Sequence, residues 1–342
     1  MIIDFLLLIV GFVVICLSAD WLVDGASALA KRMKVSDLVI GLTIVGFGTS
    51  APELVVNITA ALNNASDIAL TNILGSNIIN TMVILGVSAL IYPIVCKRST
   101  YMYEIPMYIF ATIAIMLMGT NCFGLINIGC DTGISRIDGV ILLVCFAGFM
   151  YYSVYQGMKS RKSNNNLNIA AAEGKDSTTE ASETDEKENK KGVMPVWKSL
   201  LLIVVGLAGL VIGGRLIVDN AVSIAESLGV SQSVIGITIV ALGTSLPELA
   251  TSVVAAIKKN TDLAIGNVIG SNLFNIFFVV GISAVIRPLN AYSGFILDAG
   301  MNILSGLLLL IFMFTKRDIN RYEGLSLLII YGIYMFFLLQ NA

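Results

Sequence analysis

A shift of 195 residues lays Gly41–Pro93 over Gly236–Pro288 without a gap, and 24 of the 53 paired positions are identical. The polar positions repeat more faithfully than the apolar ones. Gly48-Thr49-Ser50 returns as Gly243-Thr244-Ser245, Pro52-Glu53 as Pro247-Glu248, and Gly75-Ser76-Asn77 as Gly270-Ser271-Asn272. Asp67, Asn72 and Asn80 return as Asp262, Asn267 and Asn275. Shared hydrophobicity alone does not preserve such residues. Weaker matches reach upstream, from Val23-Asp24 to Val218-Asp219, so the duplicated unit spans at least three helices of each half. The chain must therefore fold as two related halves.

Whether those halves run parallel or inverted depends on the membrane crossings between equivalent points. Hydrophobic residues make up 56% of the chain and charged residues only 13%, against about 25% charge in an ordinary soluble domain. Apolar runs of roughly 20 residues, the length that crosses a bilayer as a helix, occur almost everywhere outside a polar tract from Lys159 to Lys198. A soluble globular enzyme is excluded, and an all-α multi-pass membrane protein is predicted. Ten transmembrane helices are expected near 3–23, 37–62, 67–91, 102–120, 137–157, 198–218, 232–257, 262–286, 293–315 and 324–340. The chain divides into a first five-helix repeat at 1–157, a linker at 158–197 and a second five-helix repeat at 198–342. The N-terminus has no basic n-region and no small-residue cleavage site, so the first span reads as a retained helix.

Five is odd, so the second copy enters the bilayer from the opposite face and the repeats are inverted. Of the Lys and Arg residues, 18 fall on one side and three, Arg136, Arg215 and Arg287, on the other. Basic residues near span ends favour the cytoplasm, which places both termini outside and the linker 158–197 inside the cell. The linker is rich in Asn, Ser, Thr, Glu and Lys and cannot bury a core. It is expected to be a disordered tether; seven carboxylates lie between Glu173 and Glu188, but without an EF-hand pattern. Inverted repeats with discontinuous helices are the architecture of secondary transporters, which alternate access around a fixed midplane site. A duplicated membrane scaffold is the bland alternative, but a scaffold has no reason to keep paired carboxylates in hydrocarbon.

The chain has no histidine, which excludes His-based zinc sites, Ser-His-Asp triads and histidine proton relays. Its five cysteines show no CxxC spacing and read as free thiols, with a Cys122–Cys130 pairing across one loop as the alternative.

Glu53 and Glu248 fall near the middle of spans 2 and 7, where an acidic side chain costs at least a few kcal/mol. Neither has an obvious basic partner. Pro52 and Pro247 lack an N–H and clash with the carbonyl four residues earlier, so helices 2 and 7 should be discontinuous, with the carbonyls of Gly48 and Gly243 freed. Non-helical backbone at this depth is tolerated only where it is buried in protein or lines a watery cavity. Thr49 and Glu53 lie four residues apart, as do Thr244 and Glu248, and can face one cavity. On spans 3 and 8, Asn72, Ser76, Asn80 and their copies Asn267, Ser271, Asn275 form one polar stripe per helix. Carboxylate, amide, hydroxyl and carbonyl oxygens without nitrogen or sulfur suit hard cations such as calcium and sodium. The competing structural role for the Ser, Thr and Asn residues is to bond helices together, while Gly75, Gly86, Gly270 and Gly281 permit close packing. Asp20, Asp24, Asp67, Asp219, Glu226 and Asp262 sit near span ends, where solvation or capping explains them.

The motifs Gly48-Thr49-Ser50-Ala51-Pro52-Glu53 and Gly243-Thr244-Ser245-Leu246-Pro247-Glu248, each followed by Gly-Ser-Asn-x-x-Asn, resemble the two alpha repeats of the cation/calcium exchanger superfamily, closest to the sodium/calcium exchangers of prokaryotic type. The resemblance covers most of the chain. It implies a ten-helix antiporter exchanging Ca²⁺ for Na⁺ through a central diamond of ion sites. By position, the ligands would be Glu53, Glu248, Asn80 and Asn275, with oxygens from Gly46, Thr49, Ser50, Ser76, Ala241, Thr244, Ser245 and Ser271. Asn275 stands where some archaeal members and the potassium-dependent branch carry Asp, which argues for potassium-independent exchange. The resemblance also favours excess sodium and hence electrogenic transport. No cofactor is expected; Ca²⁺ and Na⁺ are substrates, the bilayer is the environment, and no nucleic acid or obligate protein partner is indicated.

The first rival is a proton/calcium antiporter using the same two glutamates, although such proteins usually show a Gly-Asn-Ala-Thr-Glu type motif. A calcium channel would need rings of acids around an oligomeric pore, whereas here the symmetry lies within one chain. An intramembrane protease lacks support, since there is no Gly-x-Gly-Asp pattern and no histidine.

Overall fold

The computed structural model describes residues 2–63, 66–120, 133–173, 194–228 and 241–341. Helix α1 (Ile2–Met33) is followed by α2 (37–49) and α3 (Ala51–Leu62), which meet at a 46° bend. Then come α4 (66–91), α5 (100–119) and α6 (Arg136–Glu173). The second half holds α7 (Val196–Ser227), the short α8 (Ala241–Thr244), α9 (Leu246–Ile257), α10 (261–286), α11 (Phe295–Lys316) and α12 (Arg321–Asn341).

Among the described residues eight helices are long and apolar enough to cross a membrane, and the bent pair α2–α3 makes a ninth candidate. The remaining expected span, 232–257, is described only from Ala241 onward, as α8 and α9. Residues 229–240, and with them the first five pairs of the repeat, lie outside the described residues.

Three spans outrun the expected boundaries. α1 and α7 are each 32 residues long, or about 48 Å at 1.5 Å per residue, well beyond the roughly 30 Å hydrocarbon core. In α1, Asp20 near the expected end and Asp24 on the added turns are both held by Lys258 at 2.6 Å, so their charge does not end the helix. The third is α6. It continues to Glu173, so 158–173, expected to be disordered linker, is helical. Lys159, Arg161, Lys162 and then Ala170–Ala172 favour a helix by propensity, against the intervening Ser163, Asn164, Asn165, Asn166 and Asn168, which do not. The rest of the linker to 193 lies outside the described residues, as do Cys122 and Cys130. Cys16, Cys96 and Cys145 are free thiols.

Packing relies on small residues. α1 and α7 run antiparallel: a Cβ on Gly11 would lie 3.1 Å from the Gly213 carbonyl oxygen, and one on Gly25 2.8 Å from that of Ser199. The counterpart contact, 195 residues on, sets Gly206 against the Ser18 carbonyl, where a Cβ would come within 2.8 Å. α10 presses on α2 in the same way, with hypothetical Cβ atoms 2.7 Å from the Leu38 oxygen at Gly266 and 2.7 Å from the Leu42 oxygen at Gly270. Such close backbones are how helices associate where lipid removes the hydrophobic drive.

The halves also exchange their ends. The strand β1 (Ile94–Val95), just after α4, pairs with β4 (Asp318–Ile319), just before α12, and Gly86 of α4 faces Gly324 of α12. In mirror fashion β2 (Gly133–Ile134) pairs with β3 (Leu289–Asn290), and Gly281 of α10 faces Gly139 of α6. Each half thus carries the last helix of the other against its own core.

Candidate functional site

The breaks in the helices fall where proline predicts them. Ser50, at φ −81° and ψ 10°, separates α2 from α3, and Ser245, at φ −87° and ψ 4°, separates α8 from α9. Pro52 and Pro247 sit in the first turn beyond, where a missing N–H costs least. Glu53 and Glu248 therefore occupy first-turn positions of α3 and α9, where the helix dipole favours negative charge. Both are completely buried, 0% exposed.

Ser50, three residues before Glu53, bonds the Glu248 carboxylate and so draws the two acids into one cluster, and among the described residues neither acid makes an ion pair. Ser50 donates to Glu248 Oε1 at 2.9 Å. Ser271 Oγ lies 3.2 Å from the Gly46 carbonyl and 3.5 Å from Glu248 Oε1, with one proton for either. Thr49 Oγ1 lies 3.1 Å from Asn267 Oδ1 and 3.4 Å from Ser271 Oγ. Among the described residues Glu248 Oε2 has no hydrogen-bond partner, and neither has either oxygen of Glu53, although Thr244 lies beside that carboxylate. Ser76 Oγ and Ser245 Oγ are likewise buried without partners.

Asn80 and Asn275 are held by two residues that spacing did not single out as ligands. Asn80 Nδ2 donates to Asn272 Oδ1 at 3.0 Å, and Asn275 Nδ2 donates to Asn77 Oδ1 at 3.1 Å. With their amide nitrogens engaged, Asn80 and Asn275 each keep a buried Oδ1 without a partner. Asn272 in turn donates to Thr81 at 2.8 Å, and Asn77 to the Asn272 carbonyl at 3.3 Å. The signal available in the sequence was the identity of Asn77 with Asn272 across the repeat. Both helices also turn π-helical at this point, over Ile79–Ile84 and Asn275–Val280. Such bulges recur at functional sites because they re-aim side chains.

The predicted polar stripe is only partly shared with the site. Asn267 ties α10 to α9, donating to Ser252 at 3.0 Å and to the Glu248 carbonyl at 3.3 Å. Asn72 keeps a buried Nδ2 without a partner. Ala241 opens α8, next to the undescribed 229–240.

The arrangement gathers oxygen atoms and no sulfur or imidazole. No cluster of three or more acidic or thiol side chains occurs among the described residues, so the site carries two acids. A cavity of about 230 Å³ adjoins it, lined by Pro52, Thr244 and Pro247 at the helix breaks and by Arg215 and Asp219 of α7.

Comparison with known proteins gives the same direction. The family model for the sodium/calcium exchanger protein matches residues 3–155 and 198–340. The sodium/calcium exchanger MaX1 of Methanosarcina acetivorans is 34% identical over 97% of both chains. The inner membrane protein YrbG of Escherichia coli is 35% identical over 82% of this chain and 79% of its own. Among solved structures, the sodium-calcium exchanger NCX_Mj superposes with a TM-score of 0.78 at 31% identity, covering 98% of each chain. This chain is an integral membrane protein and a member of the sodium/calcium exchanger family of cation/calcium antiporters.

Proposed function

We propose that this protein exchanges Ca²⁺ for Na⁺ by alternating access, with Glu53 and Glu248 as the central charges. The observation that carries the reading is the pair itself: two fully buried carboxylates from equivalent positions, without a basic partner among the described residues, amid uncommitted oxygens. Two ionised glutamates match the charge of one Ca²⁺. The ligands are Glu53, Glu248, Asn80 and Asn275, with Thr49, Ser50, Ser76, Thr244, Ser245, Ser271 and the carbonyls of Gly46 and Ala241 completing the coordination. Na⁺ competes for the same carboxylates and nearby oxygens, so the two ion sets exclude one another and their fluxes are coupled. A site with two bare carboxylates is costly to carry through the low-dielectric centre, which suppresses leak.

The architecture is ten spans as two inverted repeats. The antiparallel α1–α7 pair and the reciprocal β1–β4 and β2–β3 clips support this reading. Both termini lie outside and the linker in the cytoplasm, as the basic residues indicate. The 230 Å³ cavity beside the helix breaks carries Arg215, one of the three basic residues that this topology places on the outer side. Exchange is independent of potassium and, with more than two Na⁺ per Ca²⁺, electrogenic; each net charge then couples to voltage by about 2.3 kcal/mol per 100 mV.

The test is calcium-45 uptake into proteoliposomes under separate sodium and proton gradients. Uptake driven by sodium, accompanied by current, unaffected by potassium and lost in Glu53→Gln and Glu248→Gln, is expected. Uptake driven by a pH gradient in sodium-free buffer would replace sodium by protons. Uptake retained in both variants would remove the two glutamates from the mechanism.

A further inference from the structure

The first half of the protein buries another acid that the exchange site does not use. Glu104 ends the π-helical turn Thr100–Glu104 that opens α5, and it is 2% exposed. Its Oε1 accepts from the Tyr152 hydroxyl of α6 at 3.3 Å, and its Oε2 has no partner. One residue along, Ser153 is 1% exposed, and its Oγ is also without a partner. Glu104 and Ser153 share a cavity of about 160 Å³ between α2, α5 and α6, with Ser36, Lys97, Tyr152 and Gln156 also on its wall. Lys97 does not cancel the Glu104 charge, because its ammonium is paired with Asp262 of α10.

The second half provides an internal comparison. Asp298 lies in the first turn of α11, the counterpart of α5, and Tyr334 of α12, the counterpart of α6, donates to its Oδ1 at 2.7 Å. There a further tyrosine, Tyr292, donates to Oδ2. Both halves thus set an acid at the start of the fourth span against a tyrosine from the fifth. In the second half the protein binds both carboxylate oxygens. In the first half one carboxylate oxygen is left without a partner among the described residues, and its residue lines a cavity beside an uncommitted hydroxyl.

The chemistry of that cavity is specific. One uncompensated carboxylate with hydroxyl and amide oxygens is a hard-donor set carrying a single negative charge. It suits a monovalent hard cation, whereas a divalent ion needs more anionic charge. The volume exceeds that of an ion with a few waters. We propose that Glu104 and Ser153, with Tyr152 and Gln156 beside them, form a second, peripheral Na⁺ site that is separate from the exchange site.

Equilibrium binding of sodium-22 to the purified full-length Glu53→Gln/Glu248→Gln protein, in choline buffer free of potassium, tests this with the central carboxylates removed. One saturable Na⁺ per chain is expected. Adding Glu104→Gln should weaken it at least tenfold, and adding Ser153→Ala, which keeps the carboxylate, several-fold. Absence of saturable binding in the double variant would overturn the proposal. So would binding unchanged by both added substitutions. Because the central acids are neutral throughout, the outcome does not depend on whether exchange itself uses sodium or protons.

Discussion

Neutralising Glu53 is expected to stabilise the ion-free protein and at the same time abolish its stabilisation by calcium. At an effective dielectric constant near 20, two like charges roughly 4–8 Å apart repel by about 2–4 kcal/mol. Glu53→Gln removes that repulsion. The amide inherits surroundings in which both Glu53 oxygens already lack hydrogen bonds, so little else is lost. Glu248→Gln removes the same repulsion but turns the 2.9 Å bond from Ser50 from charge-assisted to neutral, a loss of about 1 kcal/mol. Glu53→Gln should therefore gain about 2–4 kcal/mol in the absence of ions and Glu248→Gln about 1 kcal/mol less. Calcium at about one hundred times its Kd should add about 2.7 kcal/mol to the wild-type protein and nothing to either variant. Thermal unfolding at pH 9, followed by the fluorescence of Trp21 and Trp197 with EGTA or with calcium, measures both effects. For a chain of this size the low end of about 2–4 °C per kcal/mol applies, so Glu53→Gln should melt about 4–8 °C higher in EGTA. A lower midpoint in EGTA, or a calcium-induced rise in Glu53→Gln, would refute the reasoning.

Asn77→Ala and Asn272→Ala each free the amide nitrogen of an opposite asparagine, so calcium affinity should fall about 10–100-fold in both. The nearly equal bonds of 3.1 and 3.0 Å predict effects within a few-fold of each other in calcium-45 binding. Gly266→Ala places a Cβ 2.7 Å from the Leu38 carbonyl oxygen and must part α2 from α10; it should cost about 1–3 kcal/mol, and a wild-type melting curve would count against this packing. Ser50→Ala should destabilise the ion-free protein by about 1.5–3 kcal/mol through loss of its bond to Glu248. Ser245→Ala, which removes a hydroxyl that has no partner, should be neutral or stabilising in the same melt.

The sequence revealed most where chemistry conflicts with environment. A glutamate in hydrocarbon beside a proline has few explanations, and the breaks at Ser50 and Ser245 fall where Pro52 and Pro247 place them. Helix ends were less legible. The polar turns after residue 23 of α1 look like loop until Lys258, remote in sequence, is seen bridging Asp20 and Asp24. Asn77 and Asn272 were visible as repeated residues, but hydrogen bonds between opposite halves have no local spacing that predicts them. The π-helical turns at Ile79–Ile84 and Asn275–Val280 break the four-residue period on which the stripe argument relied. Glu104 carries no distinctive signal in the sequence, because one acid near the end of an apolar run looks like an ordinary solvated terminus.

The halves of the exchange site match in residue type and differ in satisfaction. Ser50 bonds Glu248, yet Ser245, its counterpart, leaves Glu53 without a hydrogen bond. Ser271 reaches the Gly46 carbonyl, whereas Ser76 has no partner. Identical serines that pair in one half and not in the other have different surroundings, set by the arrangement of the helices together with unmatched neighbours such as Gly46 against Ala241 and Ala51 against Leu246. An arrangement with the roles exchanged would use the same kinds of hydrogen bond, and the two should lie close in free energy. An antiporter needs such a balance, because a site that strongly preferred one arrangement would bind ions well and release them poorly.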